Sequence, residues 1–125
     1  LILAYSHCIA HGINMEKGLQ QQKLAVDCGH WPLLRYNPLL RESGHNPFLL
    51  DSRRPTVTVR DYAYNEARYR ILDLTHPQEA ARLMEMAQAQ VDSHWKIYEN
   101  MAAHGVAGNP YGHTAKDTMA QGESR

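Results

Sequence analysis

Ser6, His7, Cys8 and His11 stand close together near the start of the chain, and they are the residues whose types could do chemistry. A thiol beside imidazoles can form a nucleophile–base pair or contribute to a metal site. Positions i and i+4 face each other only on a helix. The residues ahead of Cys8, Leu1-Ile2-Leu3-Ala4-Tyr5, form an apolar run without alternation, which predicts a strand buried on both faces, as in a parallel sheet. A thiol at the end of such a strand is placed as a metal or cluster ligand would be. His7 would then point the opposite way and His11 would lie beyond a turn at Gly12, so neither is committed to a Cys–His pair. The competing reading is an inert buried cysteine, because free cysteine is among the most buried residue types. The chain opens inside this run and without Met, so we expect a fragment that begins at the last core strand of a larger domain.

The remaining candidates are weaker. Cys28 falls near the predicted C-terminus of a helix, the wrong end of the dipole to stabilise a thiolate, and reads as core. The two cysteines could form one disulfide but make neither a disulfide framework nor a complete metal site, which wants about four ligands. The eight histidines are scattered and build no ligand motif such as HExxH. Arg35 and Tyr36 could bond a partner domain or close a local ion pair with Asp51. Asp61-Tyr62 and Glu66 to Tyr69 read as ion-pair and packing groups. No phosphate loop and no paired carboxylates are present.

The elements that must position the Cys8 region follow from pattern. Asn14 can cap a helix from Met15 to Cys28, with Met15, Leu19, Gln22 and Val26 on one stripe, Leu24, Ala25 and Cys28 beside it, and Gly29 just past its end. Gly18 inside that helix marks either a close approach or a later helix start. Leu33–Tyr36 and Phe48–Leu50 read as the two strands of a ribbon around the polar stretch 41–46. Asp51–Pro55 is a linker, and Thr56–Val59 is extended. Asp61 then opens a helix over Tyr62–Leu72. Thr75-His76-Pro77-Gln78 has a capping-box spacing and Pro at the first turn. Ala80, Leu83, Met84, Ala87, Val91, Trp95, Tyr98 and Met101 recur at threes and fours, which predicts a long surface helix. From Gly105 the pattern dissolves, and residues 104–125 are expected to be a disordered tail.

Composition narrows the function classes. The 125 residues carry 13 basic and 13 acidic side chains, which gives no electrostatic case for nucleic acid or an anionic membrane. No apolar run is long enough to span a bilayer. Seven Tyr, two Trp and one Phe suggest a surface packed against something else.

Beyond single residues, Tyr5-Ser6-His7-Cys8-Ile9-Ala10-His11-Gly12 resembles a stretch of the pyruvate:ferredoxin (flavodoxin) oxidoreductase family. Further blocks agree in order: Gln21-Gln22-Lys23-Leu24-Ala25-Val26, Trp31-Pro32-Leu33, Arg35-Tyr36-Asn37-Pro38, Asn46-Pro47 through Leu50-Asp51-Ser52, Asp61-Tyr62 with Glu66 and Arg68-Tyr69-Arg70, and Trp95-Lys96 with Tyr98-Glu99. The likeness runs from residue 1 to about residue 103. It implies a cytoplasmic, usually homodimeric enzyme that decarboxylates pyruvate on thiamine diphosphate and Mg2+. Such an enzyme passes electrons through 4Fe–4S clusters to ferredoxin or flavodoxin and gives the acetyl group to coenzyme A.

By that resemblance, residues 1–103 are the C-terminal part of the thiamine diphosphate-binding domain, and the fold class is α/β. Its elements would be the last strand of a mostly parallel thiamine-binding sheet, then helices and a short two-stranded ribbon. Cys8 would be one ligand of the cluster nearest the thiamine, and His7 and His11 would be cofactor-pocket residues. The other ligands and the thiamine-binding motif would lie in the rest of the parent polypeptide. The fragment would carry no catalytic residue and be inactive alone. Two other functions compete: a non-catalytic helical interaction module with an inert, buried Cys8, and a small Cys–His hydrolase, for which no acid or oxyanion loop can be named.

Overall fold

The computed structural model describes residues 1–105. The expected tail lies almost entirely outside the described residues.

The opening run is not a strand of a parallel sheet. Leu1 to Ser6 has no regular structure, and Leu1, Ile2 and Leu3 are 114%, 91% and 75% exposed. The sheet among the described residues is instead a two-stranded antiparallel ribbon. The physical reason is that strand propensity needs a neighbouring strand to bond. Apolarity in residues 1–5 announced a buried run but could not name that neighbour.

Chain order is as follows. A 3₁₀ turn at Ile9–His11 is followed by another at Met15–Lys17, whose cap Asn14 accepts from the Glu16 N–H at 3.0 Å. Helix α1 spans Gly18–Asp27, so the later start that Gly18 hinted at is what occurs. Strand β1, Leu34–Tyr36, pairs with β2, Phe48–Leu50, in the register Leu34 to Leu50 and Tyr36 to Phe48. The short helix α2, Leu39–Glu42, fills the connection where a polar turn was expected. Arg35 closes the local option, donating to both carboxylate oxygens of Asp51 at 2.8 and 2.7 Å.

The predicted 62–72 helix is split. Helix α3 begins earlier, at Val59, and ends at Ala63; α4 runs from Ala67 to Thr75. Thr58 and Asp61 form a reciprocal capping box at the start of α3, which explains why residues 56–59 do not continue as a strand. The box expected at Thr75 does not form. That hydroxyl turns back to the Ile71 carbonyl at 2.8 Å, and His76 caps α5 without a side-chain bond. Helix α5, Pro77–His104, is the long element foreseen, with Pro77 in its first turn and Ala80 and Trp95 buried.

The core lies where α1, α3 and α5 meet. Ala25, Cys28, Tyr62 and Ala63 are its centre, with Tyr5, Leu24, Trp31, Val57, Tyr69 and Met84 packed around them. The buried face of α1 is Gly18, Gln21 and Ala25, so the face is turned from the predicted stripe, whose Leu19 is 80% exposed, toward Ala25 and Cys28 expected beside it. A second contact holds the ribbon: Phe48 stacks on Tyr98, and the Asn46 amide donates to the Met101 and Ala102 carbonyls at 3.0 and 2.9 Å.

Candidate functional site

The segment Tyr5–Gly12 is a loop fastened on both sides of Cys8. Cys8 itself is extended, with φ −130° and ψ 130°, and leads into the Ile9–His11 turn. The His11 N–H donates to the Cys8 carbonyl at 3.1 Å, and the Gly12 N–H to the Ile9 carbonyl at 3.0 Å. Gly12 ends the turn at φ 68°, a conformation glycine adopts without strain.

Upstream, the Tyr5 and Tyr62 hydroxyls are 2.6 Å apart. The Tyr5 ring lies against Trp31 with centroids 5.6 Å apart, and His30 stacks on Tyr62 at 4.9 Å. Downstream, the Ala67 N–H at the start of α4 donates to the Gly12 carbonyl at 3.0 Å. The contact is tight enough that a Cβ on Gly12 would sit 2.5 Å from that of Ala67. Between the two anchors the His7 ring lies over Gly18, where an added Cβ would come within 2.6 Å of His7 Cε1. Gly18 is therefore a site of close approach as well as a helix start.

Beneath the loop is a carboxylate with no solvent exposure, Glu66. Arg68 Nε donates to its Oε2 at 2.6 Å, and Gln21 Nε2 and the Tyr62 hydroxyl donate to Oε1, each at 3.3 Å. His11 Nδ1 lies 3.7 Å from Oε2, and Arg68 Nη1 3.5 Å from His11 Nε2. A buried carboxylate is tolerated only when paired and bonded, and here both oxygens are. Burial, then the bond with Tyr5 and the Glu66 charge, push the Tyr62 phenol well above its ordinary range, so it stays a proton donor.

The structure brings the three predicted residues into one loop but gives them different surroundings. Cys8 is a half-buried free thiol. His7 Nδ1 is buried with no hydrogen-bond partner, and His11 is turned to Glu66. Cys28 is core, its thiol donating to the Ala25 carbonyl at 3.5 Å and burial pushing its pKa up. Among the described residues no group of three His, Cys, Asp or Glu side chains could hold a metal ion. The loop presents a single thiol, and the described residues do not make a complete cluster site. Glu66 stands beside His11, but among the described residues no hydrogen bond joins Cys8 to either imidazole, so no Cys–His pair is built.

Sequence reasoning placed Glu66, Arg68 and Tyr69 as ion-pair and packing groups, and Glu66 with Arg68 is an ion pair. It missed that Glu66 is the hub joining Gln21, Tyr62 and His11. The available signal was a carboxylate set among Tyr62, Tyr64 and Tyr69, with Gln21 on the apolar side of α1.

No family model matches the chain. It is 52% identical over 103 residues to a pyruvate-flavodoxin oxidoreductase of Nostoc sp., covering 82% of this chain and 9% of that protein. It is 43% identical over 102 residues to a pyruvate:ferredoxin oxidoreductase of Moorella thermoacetica, covering 82% and 9%. It is 33% identical over 103 residues to the mitochondrial pyruvate dehydrogenase (NADP+) of Euglena gracilis, covering 81% and 6%. The chain therefore spans less than a tenth of the length of the curated relatives it matches.

Proposed function

We propose, from the homology of this chain to one short stretch of the pyruvate-flavodoxin and pyruvate:ferredoxin oxidoreductases, that it is a segment of such an enzyme and that Cys8 is one thiolate ligand of a 4Fe–4S cluster. Residues 1–103 are the C-terminal part of the thiamine diphosphate-binding domain, laid on it as helices and a ribbon. The complete enzyme oxidises pyruvate to acetyl-coenzyme A and CO2, reduces ferredoxin or flavodoxin, and acts as a homodimer. Thiamine diphosphate and Mg2+ are held by the rest of the polypeptide.

The observation that carries the ligand role is a free, partly buried cysteine on a loop fastened at Tyr5, His7 and Gly12. A cluster ligand must be held still so that the distance to the electron donor is fixed. When bound, the cluster supplies a one-electron acceptor beside the thiamine cofactor. This chain's own residues do the positioning. Tyr62 and Ala67 hold the loop ends, Gly18 makes room for the His7 ring, and His7 and His11 flank the thiol as cofactor-pocket residues. The interaction-module alternative needed Cys8 to be the inert buried cysteine, whereas the fully buried one is Cys28.

The test is Cys8→Ala in the full-length oxidoreductase. Iron content is expected to fall by one cluster's worth, and the electron paramagnetic resonance signal of that cluster is expected to vanish or change type. Unchanged iron and an unchanged spectrum would remove Cys8 from the ligand set.

A further inference from the structure

Gln21, Tyr62, Arg68 and His11 come from α1, α3, α4 and the Cys8 loop, and all of them face one carboxylate, Glu66. These partners are spread along the chain; Gln21 lies 45 residues from Glu66. Tyr62 carries the chain of contacts on to Tyr5, so the upstream side of the loop ends at the same hub. Glu66 also anchors the backbone of α4, its carbonyl accepting from the Tyr69 N–H at 3.2 Å. Its next residue, Ala67, is the one that holds Gly12. Both flanks of Cys8 therefore depend on this side chain or its immediate neighbour.

We infer that Glu66 is the positioning residue of the Cys8 loop: its buried carboxylate ties the loop to three helices and so sets where the Cys8 thiol stands. The inference rests on the reading of Cys8 as a cluster ligand for its consequence, but not for the geometry. A core that only needed filling would be served by an apolar side chain, because a buried ion pair is a weak source of stability. A residue that must hold several segments in fixed register is served by a group that can accept several directed bonds at once. Glu66 has no solvent exposure, and its carboxylate oxygens are taken up by Arg68, Gln21 and Tyr62, so its effect on Cys8 passes through these contacts.

The experiment uses the full-length oxidoreductase in two forms. In the iron-stripped form, N-ethylmaleimide labelling of Cys8 and Cys28 is followed by peptide mass spectrometry. Glu66→Ala is expected to speed Cys8 labelling by about tenfold, the effect of local loosening without global unfolding, while buried Cys28 stays protected and reports an intact fold. A wild-type Cys8 rate with Cys28 protected would overturn the inference. If Cys28 becomes reactive, the decision passes to Tyr5→Phe, which keeps the ring and removes only its hydrogen bond to Tyr62. There a rise of about threefold supports the inference, and an unchanged rate overturns it.

In the iron-loaded form, Glu66→Ala is expected to broaden or shift the paramagnetic resonance lines of the cluster whose signal Cys8→Ala removes. Unaltered lines would overturn the inference while leaving the ligand assignment standing. If Cys8→Ala leaves every cluster intact, the ligand reading fails and the labelling rates still decide the role of Glu66.

Discussion

Gly12 is the residue on which the downstream side of the Cys8 loop depends, because two requirements meet there. Its φ of 68° disfavours any side chain, and Ala67 leaves no space for one. Gly12→Ala is expected to cost about 2 kcal/mol from the backbone alone, with the contact to Ala67 adding to it, and to lower the urea midpoint accordingly. Gly18→Ala should behave differently. Its Cβ meets the His7 ring, a side chain that can swing, so the stability change should be small while thiol-reagent access to Cys8 increases. Sequence reading picked out the loop's residues at this scale, though not its conformation. Cys8 with its two imidazoles was singled out by type and spacing, and Gly18 by its presence in a helical stretch. Glu66 was read as an ion-pair group, which it is, but not as a hub, because its full burial is decided by Gln21, Tyr62 and Arg68 folding around it, and its aromatic neighbours in sequence only hint at that.

Elements follow local rules in the ribbon and the long α5, but not at Thr75, whose capping-box pattern is complete in sequence and is not formed. The ribbon and the long α5 were legible through those rules, whereas the strand predicted at residues 1–5 does not form, since an apolar run carries no signal of a bonding partner. The start of α3 depends on Thr58 and Asp61, which bond each other's backbone N–H groups at 2.9 and 3.2 Å. Thr58→Ala should destabilise that start by about 1 kcal/mol, seen as faster amide exchange in residues 59–63. The hydrogen bonds from the Thr58 hydroxyl and N–H hold the Asp61 carboxyl below its ordinary value of 3.8. A depressed folded-state pKa means that this contribution is fully present above the unfolded value and fades as pH falls through the folded one. The protection difference between wild type and Thr58→Ala is therefore expected to be constant from neutral pH to mildly acidic pH and to shrink in stronger acid. A difference that grew in acid would mean that the carboxylate opposes the cap.

At the scale of the whole molecule, large apolar side chains remain uncovered. Leu1, Ile2 and Leu3 are followed by exposed Ile9, Leu19, Leu39, Ile71 and Leu74. Singly exposed apolar residues are ordinary, but a run of them is not. Expressed by itself, the chain is expected to self-associate, giving light-scattering masses above 14.2 kDa, and replacing Leu1, Ile2 and Leu3 with Ser should reduce that association. A monodisperse monomer with sharp amide spectra would favour an autonomous interaction module instead. No helix among the described residues is long and apolar enough to cross a membrane. The grip of Asn46 on the last carbonyls of α5 has a mechanical consequence. Helix ends normally fray one turn at a time, but here the side chain that bonds Met101 and Ala102 also accepts from the Phe48 N–H at 2.9 Å. A pull applied at His104 would load the ribbon before it unwound the helix, so in an optical trap the first rupture should be a single cooperative step and not a gradual lengthening.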